Sequence, residues 1–319
     1  MIQALINKGR KLRISSENFV WVILGLLLII SAVTSPIFLT GRNLKNIFLI
    51  QPVGLGIASL SQALVMISGG IDMSIGSAVS LLTTLAAGFF KSFPEASPAS
   101  AFLMILVVGL MIGALNGFFV VILKIPAFMG TLATMSILQG VIYFYTKKPI
   151  GGIPKSFRYI AEGKILGVPV SFVFFVLVFI LVLLFMKKHK GGKLIYAVGS
   201  NSYISQISGI AVKRVMFLTY MLGGLLVGLA SVFLAARMGG GGPTSGTGYE
   251  LDTITASVIG GISLSGGVGH PVGIIGGVLT LTIFSNTMNL LDINPYIQMF
   301  LKGVILILAV SFNSESKKK

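Results

Sequence analysis

Apolar runs of about 20 residues recur along the whole chain, and they constrain its fold more than any other feature. Hydrophobic residues make up 55% of the 319 residues, while charged residues make up only 10%. A bilayer core of roughly 30 Å takes about 20 apolar residues per helix, and a spanning segment must pair its own backbone polar groups. The sequence therefore predicts an all-α membrane protein with about ten transmembrane helices.

The candidate spans form one transmembrane domain over residues 1–319. They lie at 19–38, 47–67, 74–90, 100–123, 127–146, 170–186, 215–236, 252–264, 268–290 and 296–312. Two of them, 74–90 and 252–264, are short and bounded by glycine, which is typical of broken or re-entrant helices.

Basic residues are concentrated between the apolar runs and give a net charge of +16. No aromatic-basic interleaving accompanies them, so we expect contact with lipid headgroups and no nucleic-acid partner. With both termini cytoplasmic, fourteen Lys and Arg lie inside and nine outside. This bias predicts a multi-pass protein of the cytoplasmic membrane, with segment 1–18 and the basic tail 313–319 inside. The loop 147–168 is predicted to be external, although an error of one span before it would move it inside.

A long connection at 187–214 is predicted to be cytoplasmic. Isoleucines follow each other at spacing three from Ser202 to Ile210, with Asn201 or Ser202 as an N-cap and Gly209 near the end. This pattern predicts a short amphipathic helix outside the bilayer. Either a handle for a partner protein or an interfacial helix resting on lipid would have this pattern.

Asp72 is a carboxylate between two apolar segments, close to Gly69, Gly70 and Ser74. Intramembrane charges are rare and mark pathways, so these residues are candidates for the translocation path or its gate. The alternative interpretation is that Asp72 caps the helix that begins near Ser74. Asn116 is also a path candidate, or it bridges neighbouring helices.

The stretch 239–252 combines a glycine run with two carboxylates ahead of a short apolar segment. It suits a re-entrant turn or an external gate, so Gly248, Glu250 and Asp252 are further path candidates. A flexible loop is the alternative. We expect Lys302 in the last span to snorkel or to pair with a carboxylate.

The segment 69–76 resembles the segment 260–267, and each follows one apolar stretch and precedes another. Transporters often contain duplicated halves with broken helices at corresponding positions. Duplicated halves are therefore possible here.

Motifs for enzymatic chemistry are missing from the sequence. It has no cysteine, no GxSxG, no HExxH and no metal-ligand pattern around its two histidines. It also lacks a phosphate-binding loop, so we expect a transport subunit that binds no metal or cofactor and leaves ATP to a partner.

Four segments together resemble the ribose and related sugar ABC importer permeases over nearly the whole chain. They are GGIDMSIGS at 69–77, NGFFVVILKIPAFMGTLATM at 116–135, AVGSNSYISQISGI at 197–210 and YELDTITASVIGGISLSGGVG at 249–269. The departure from the family pattern is at Tyr203, Ile204 and Ser205, where small and acidic residues are more usual.

This resemblance implies a permease that pairs with a second copy or a sister subunit around a central path. It also implies two cytoplasmic ATPases that use ATP and Mg, and an extracytoplasmic solute-binding protein that delivers a sugar. By the same resemblance, the ATPase-coupling element would contain Gly199, Asn201, Ser208, Gly209 and Ile210.

Other functions stay open at this stage. Permeases of this architecture for nucleosides or branched-chain amino acids are alternatives. A secondary transporter driven by an ion gradient would also have broken helices and an intramembrane carboxylate. A membrane-embedded enzyme is disfavoured, because no paired catalytic residues are present.

Overall fold

A computed structural model describes the backbone of residues 16–315 and the side chains of residues 20–311. Most of the predicted segment 1–18 and of the predicted tail 313–319 therefore lies outside the described residues.

Helices make up most of the described chain. In chain order they are α1 (Ser16–Thr34), α2 (Gly41–Ile67), α3 (Ile75–Ser92), α4 (Pro98–Ile122), α5 (Ala127–Tyr145), α6 (Lys155–Glu162), α7 (Val170–Lys188), α8 (Lys190–Ser200), α9 (Ser202–Ile207), α10 (Val212–Met238), α11 (Tyr249–Ile259), α12 (Pro271–Leu290) and α13 (Pro295–Glu315). One π-helical turn interrupts α2 at Asn46–Ile50, and another ends α4 at Phe118–Ile122.

Seven of these helices, α2, α3, α4, α5, α7, α10 and α12, are long and apolar enough to cross a membrane. Two shorter apolar helices, Val20–Thr34 and Pro295–Ser311, lie within α1 and α13. The all-α membrane fold is thus confirmed, but the count of ten spans is not. The predicted span 252–264 is the 11-residue helix α11, which is about 17 Å long and so covers only half a bilayer.

Close packing of small residues holds the centre of the bundle together. Helix α10 packs most extensively against α4, and also along α2 and α3. A Cβ atom added to Gly224 of α10 would lie 2.2 Å from the carbonyl oxygen of Gly109 in α4, and one on Gly113 would lie 2.3 Å from Tyr220 O. Helix backbones in lipid approach this closely only where side chains are absent.

The two long connections lie at opposite ends of the bundle, and one of two small sheets shows where the first of them is. Strand β1 (Ile150–Gly151) pairs antiparallel with β4 (Gly240–Gly241), with Ile150 opposite Gly241. Strands β2 (Lys164–Ile165) and β3 (Val168–Pro169) form a hairpin. The loop 147–168 therefore lies at the Met238 end of α10, whereas the segment 187–214 leads into its Val212 end. Because α10 has 27 residues, these ends are about 40 Å apart.

Candidate functional site

The segment 187–214 contains two helices where a single one was predicted. Helix α9 lies in the predicted place, although it ends at Ile207 rather than at Ile210. Helix α8 was missed, because its paired glycines resemble a loop. Gly192 is needed there, since a Cβ atom on it would lie 2.5 Å from the Cα of Met186. We call α8 and α9 with the turn to Ile210 the coupling segment, after the role that the resemblance predicts for it.

The predicted caps of α9 are present. The side chain of Asn201 accepts a hydrogen bond from the backbone N–H of Ile204 at 2.9 Å, as an N-cap does. Ser208 follows the helix, and Gly209 ends it with a left-handed φ of 83°. The N–H of Ile210 then donates to Ser205 O at 3.0 Å. This glycine turn satisfies the last helical carbonyls and sends the chain into α10.

An apolar surface on α9 is open to the outside of the bundle. The side chains of Tyr203, Ile204 and Ile207 are 72%, 56% and 68% exposed, respectively. Ser205 is buried on the other side of α9, where its hydroxyl donates to Ala197 O at 2.9 Å and ties α9 to α8. Three exposed apolar side chains on a six-residue helix form a small patch that suits contact with another surface.

Backbone atoms of three separate segments meet at the end of the bundle that carries α8 and α9, which is predicted to be cytoplasmic, in what we call the inner junction. It comprises Ile67 and Gly69 after α2, Gly199 at the end of α8, and Gly266 and Gly267 after α11. The N–H of Gly267 donates to Ile67 O at 2.8 Å. A Cβ atom on Gly199 would lie 1.8 Å from the same oxygen, and one on Gly266 would lie 2.8 Å from Gly69 Cα. Only glycine fits where backbones approach this closely.

Tyr196 adds a side-chain link from α8 to the same region. Its hydroxyl donates to Gly269 O at 2.7 Å. Burial raises the pKa of Tyr196 above its ordinary value, so the phenol stays protonated and remains a donor at neutral pH. The coupling segment thus contacts the turn after α11 at two places, through Tyr196 and at Gly266, where an added Cβ atom would lie 2.8 Å from Gly199 O.

Asp72 lies in the turn between α2 and α3 and is only 3% exposed. One carboxylate oxygen accepts from the N–H of Ser74 at 2.8 Å and from its hydroxyl at 2.6 Å. Asn116 of α4 donates its amide to both oxygens of Asp72 at 3.2 Å, and to the Ser74 hydroxyl at 2.8 Å. Asp72 thus forms a side-chain turn with Ser74 just before α3 and does not cap that helix, whose N-cap is Ser74 without a side-chain bond. Asn116 bridges α4 to this turn. The cluster fixes the turn before α3 against α4.

Residues 239–259 form a discontinuous crossing, in which a non-helical stretch precedes α11. Its glycines lie against α3: a Cβ atom on Gly241 would be 2.2 Å from Thr83 O, and one on Gly246 would be 2.1 Å from Gly76 O. The N–H of Gly246 also donates to Ser80 Oγ at 2.8 Å. The predicted ordered element is therefore present, and it runs beside a spanning helix.

The two carboxylates at the start of α11 have different partners. Glu250 accepts from the N–H of Gly248 at 3.2 Å, and its other oxygen occupies the space where a Cβ atom on Gly76 would be. Asp252 forms an ion pair with Lys302 of α13 at 2.7 Å. The predicted carboxylate partner of Lys302 is thus Asp252.

The predicted site residues fall into three separate groups in the structure. Gly69 lies beside Gly199, so the predicted path and coupling sets meet at the inner junction. Asp72, Ser74 and Asn116 form the second group, and the start of α11 forms the third. Within the described residues, no hydrogen bond joins Asp72 to Glu250 or Asp252.

Two residues with close contacts in this region were not predicted from the sequence. Tyr220 of α10 is 1% exposed, and its hydroxyl reaches Ile71 O at 3.4 Å and lies where a Cβ atom on Gly70 would be. A tyrosine within an apolar span was the available signal. The other is the carbonyl of Ile67, for which the sequence carries no signal, because backbone contacts depend on the fold alone.

Comparison with known proteins identifies the family. The profile of the family described as branched-chain amino acid transport system / permease component matches residues 44–310. The chain is 36% identical to the ribose import permease protein RbsC of Bacillus subtilis (strain 168), covering 89% of this chain and 88% of that protein. No solved structure gives a significant match.

Two further relatives come from Escherichia coli (strain K12). The galactose/methyl galactoside import permease protein MglC is 34% identical, with 97% of each chain covered. The probable ABC transporter permease protein YphD is 35% identical, covering 92% of this chain and 87% of that protein. The chain therefore belongs to this family of ABC importer permeases, and its apolar helices agree with a multi-pass transport subunit of the inner membrane.

Proposed function

We propose that this chain is the membrane-spanning subunit of an ATP-driven importer for a small sugar, a ribose-like pentose or a hexose. The sugar class rests on the relatives, which are ribose and galactose import permeases. The observation that supports ATP-driven coupling is the inner junction. There the coupling segment touches the turns after α2 and after α11 through backbone atoms, with no flexible side chain between them.

The proposed partners follow from the family. A cytoplasmic ABC ATPase binds the coupling segment and uses ATP and Mg, while the permease itself binds no cofactor. An extracytoplasmic solute-binding protein delivers the sugar to the opposite face, and a second copy or a sister permease completes the path. Both termini are then cytoplasmic. In agreement, Val20 near the start of α1 lies against Gly276 in α12, and α12 begins close to Gly260 on the coupling-segment side.

The exposed patch on α9 provides the direct test of ATPase binding. In tagged full-length protein purified in detergent, the double variant Ile204→Glu and Ile207→Glu should lose the copurifying ATPase, because two charges replace the apolar contact. Ile165→Glu is the matched control, since Ile165 is 50% exposed on the opposite side of the bundle. Equal ATPase recovery from the double variant and from wild type would refute the assignment.

Gly209 tests the turn that connects the coupling segment to α10. Its φ of 83° disfavours any other residue, although no atom lies within 4 Å of an added Cβ. We expect Gly209→Leu to uncouple ATP hydrolysis from uptake in the assembled transporter, because the turn loses its geometry. Normal uptake at normal expression would contradict this prediction.

A further inference from the structure

The non-helical half of the discontinuous crossing presents polar side chains to the outside of the chain at membrane depth. Thr244 and Thr247 are exposed, while Gly248 and Glu250 are partly exposed. The neighbouring Gly241 lies against Thr83, nine residues before the outer end of α3 at Ser92. Nine residues of helix are about 13 Å, so the stretch lies well within the length of a spanning helix.

Lipid is an unsuitable neighbour for this surface. Non-helical backbone at membrane depth occurs where protein covers it or where it lines a water-filled cavity, because hydrocarbon cannot pair its polar groups. By contrast, the exposed side of α7 carries apolar side chains such as Leu177, which is 55% exposed, and Leu181, which is 59% exposed. Such a surface suits lipid, and the stretch 244–250 does not.

Glu250 is a second reason why the stretch 244–250 does not suit contact with lipid. Its carboxylate accepts one hydrogen bond from Gly248, and the described part of the chain offers it no ion-pair partner. Asp252, two residues further on, is paired with Lys302. A partly exposed carboxyl group without a cation, whether charged or protonated, is more stable against water or a polar ligand than against hydrocarbon.

Gln139 of α5 adds a further polar group to this surface, at the Pro243 end of the stretch. Its amide donates to Pro243 O, next to Thr244 in the chain, at 3.1 Å, and its side-chain oxygen is a further acceptor. Hydroxyl, amide and carboxylate groups in one row are the groups that hydrogen-bond to the hydroxyls of a polyol. An apolar wall would offer a sugar none of these bonds.

We propose that Gln139, Thr244, Thr247 and Glu250 form a water-filled, sugar-contacting stripe of the translocation path, closed on its open side by the second permease subunit. This inference rests on the proposed function and assigns the path-lining side chains. Asp252 is outside the stripe and serves to fasten α11 to α13 through Lys302.

Cysteine labelling tests the stripe directly, because the chain has no cysteine of its own. Single variants Thr244→Cys and Thr247→Cys, in full-length permease in native membranes, are treated with a charged, membrane-impermeant thiosulfonate. Leu177→Cys is the matched lipid-facing control. We expect both stripe cysteines to react at least about tenfold faster than the control, because the reagent follows water. Stripe cysteines that react no faster than Leu177→Cys would overturn the proposal.

A second measurement tests the contact with sugar. In the assembled importer, we expect Thr247→Val to lower sugar uptake by about tenfold, the cost of one lost hydrogen bond to the solute. Thr280→Val is the control, because Thr280 is buried in α12 and its hydroxyl donates to Gly276 O of the same helix. Unchanged uptake by Thr247→Val would remove the sugar contact from the proposal. The labelling needs neither ATP nor transport, so its failure is distinguishable from a failure of the proposed function.

Discussion

The inner junction and the stretch 239–248 are both rich in glycine, but Gly199 in the first and Gly248 in the second are glycine for different reasons. At the inner junction, backbone atoms of three segments touch, and a Cβ atom on Gly199 would lie 1.8 Å from Ile67 O. At Gly248, no atom lies within 4 Å of an added Cβ, and the residue is a glycine because its φ is 89°. The inner junction is tightly packed at Gly199, which suits the transfer of a motion, whereas the surface at Gly248 is open, although Gly241 and Gly246 of the same stretch pack closely against α3.

The two inner turns also resemble each other in detail. Gly69 donates to Met66 O and Gly70 to Val65 O, while Gly261 donates to Val258 O and Ile262 to Ser257 O. Both turns thus end a helix at a left-handed glycine by the same pair of bonds.

A side-chain turn follows each of these helix ends. Ser74 N–H donates to Asp72 in the first turn, and Ser265 N–H donates to Ser263 in the second. The chain then differs, because α3 begins directly after Ser74 whereas α12 begins only at Pro271. The similarity expected from the sequence echo therefore extends to the turns, but the helix-ending bonds are displaced by one residue, because Gly261 rather than Gly260 takes the place of Gly69.

The largest effect should follow from adding one methyl group at the inner junction. Gly199→Ala forces the coupling segment away from Ile67, with strain of about 1 to 3 kcal/mol. We expect uptake to fall at least tenfold, about 1.4 kcal/mol, while the ATPase still copurifies. Gly248→Ala is the matched variant, with about 1 kcal/mol of backbone strain and no clash, and it should keep most of the uptake. Equal losses of uptake in both variants would show that the close backbone contact at Gly199 does not distinguish it from Gly248.

A smaller effect is expected at Asp72, which holds the turn next to the inner junction. Asp72→Ala leaves the Ser74 N–H and the Asn116 amide without their acceptor, at a cost of about 1 to 3 kcal/mol. Thermal unfolding in detergent should show a lowered Tm. Asp72→Asn keeps one acceptor oxygen and should recover part of the loss. A Tm that is unchanged in Asp72→Ala would show that the cluster does not stabilise the turn.

The ion pair between Asp252 and Lys302 should lose more stability when only the cation is removed than when both charges are removed. Lys302→Met leaves Asp252 as a largely buried carboxylate without a cation, so it should lower the Tm more than the double variant Lys302→Met with Asp252→Asn. A double-mutant cycle on the Tm in detergent measures the coupling. If the double variant is the less stable of the two, the pair does not fasten α11 in the way described.

The smallest effect is expected for Tyr196→Phe, which removes one hydrogen bond to Gly269 O and leaves the packing of the ring intact. A single bond of this kind contributes about 1 kcal/mol. We expect uptake to decrease a few-fold, with ATPase binding unchanged. A loss as large as that of Gly199→Ala would mean that the tyrosine, rather than the backbone contact, carries the link.

Much of this architecture was predictable, because hydrophobic runs and glycine positions are local signals. They indicated the membrane fold, the Asn201 cap, the Gly209 turn and the break before α11. Helix α8 was missed because Gly191 and Gly192 resemble loop residues, although Gly192 is a packing glycine. The inner junction could not be predicted from one sequence, since it joins backbone atoms about 65 to 200 residues apart, such as those of Ile67, Gly199 and Gly267.

The central claim is that ATP hydrolysis by a partner, transmitted through the inner junction, drives sugar uptake. The most direct test is uptake of labelled ribose and galactose by cells or vesicles containing the permease, its ATPase and its binding protein, with ion gradients collapsed by ionophores and ATP maintained. We predict that uptake of one of these sugars continues under these conditions and stops when ATP is removed. Uptake that stops with the gradients and ignores ATP would contradict the account and identify a secondary transporter.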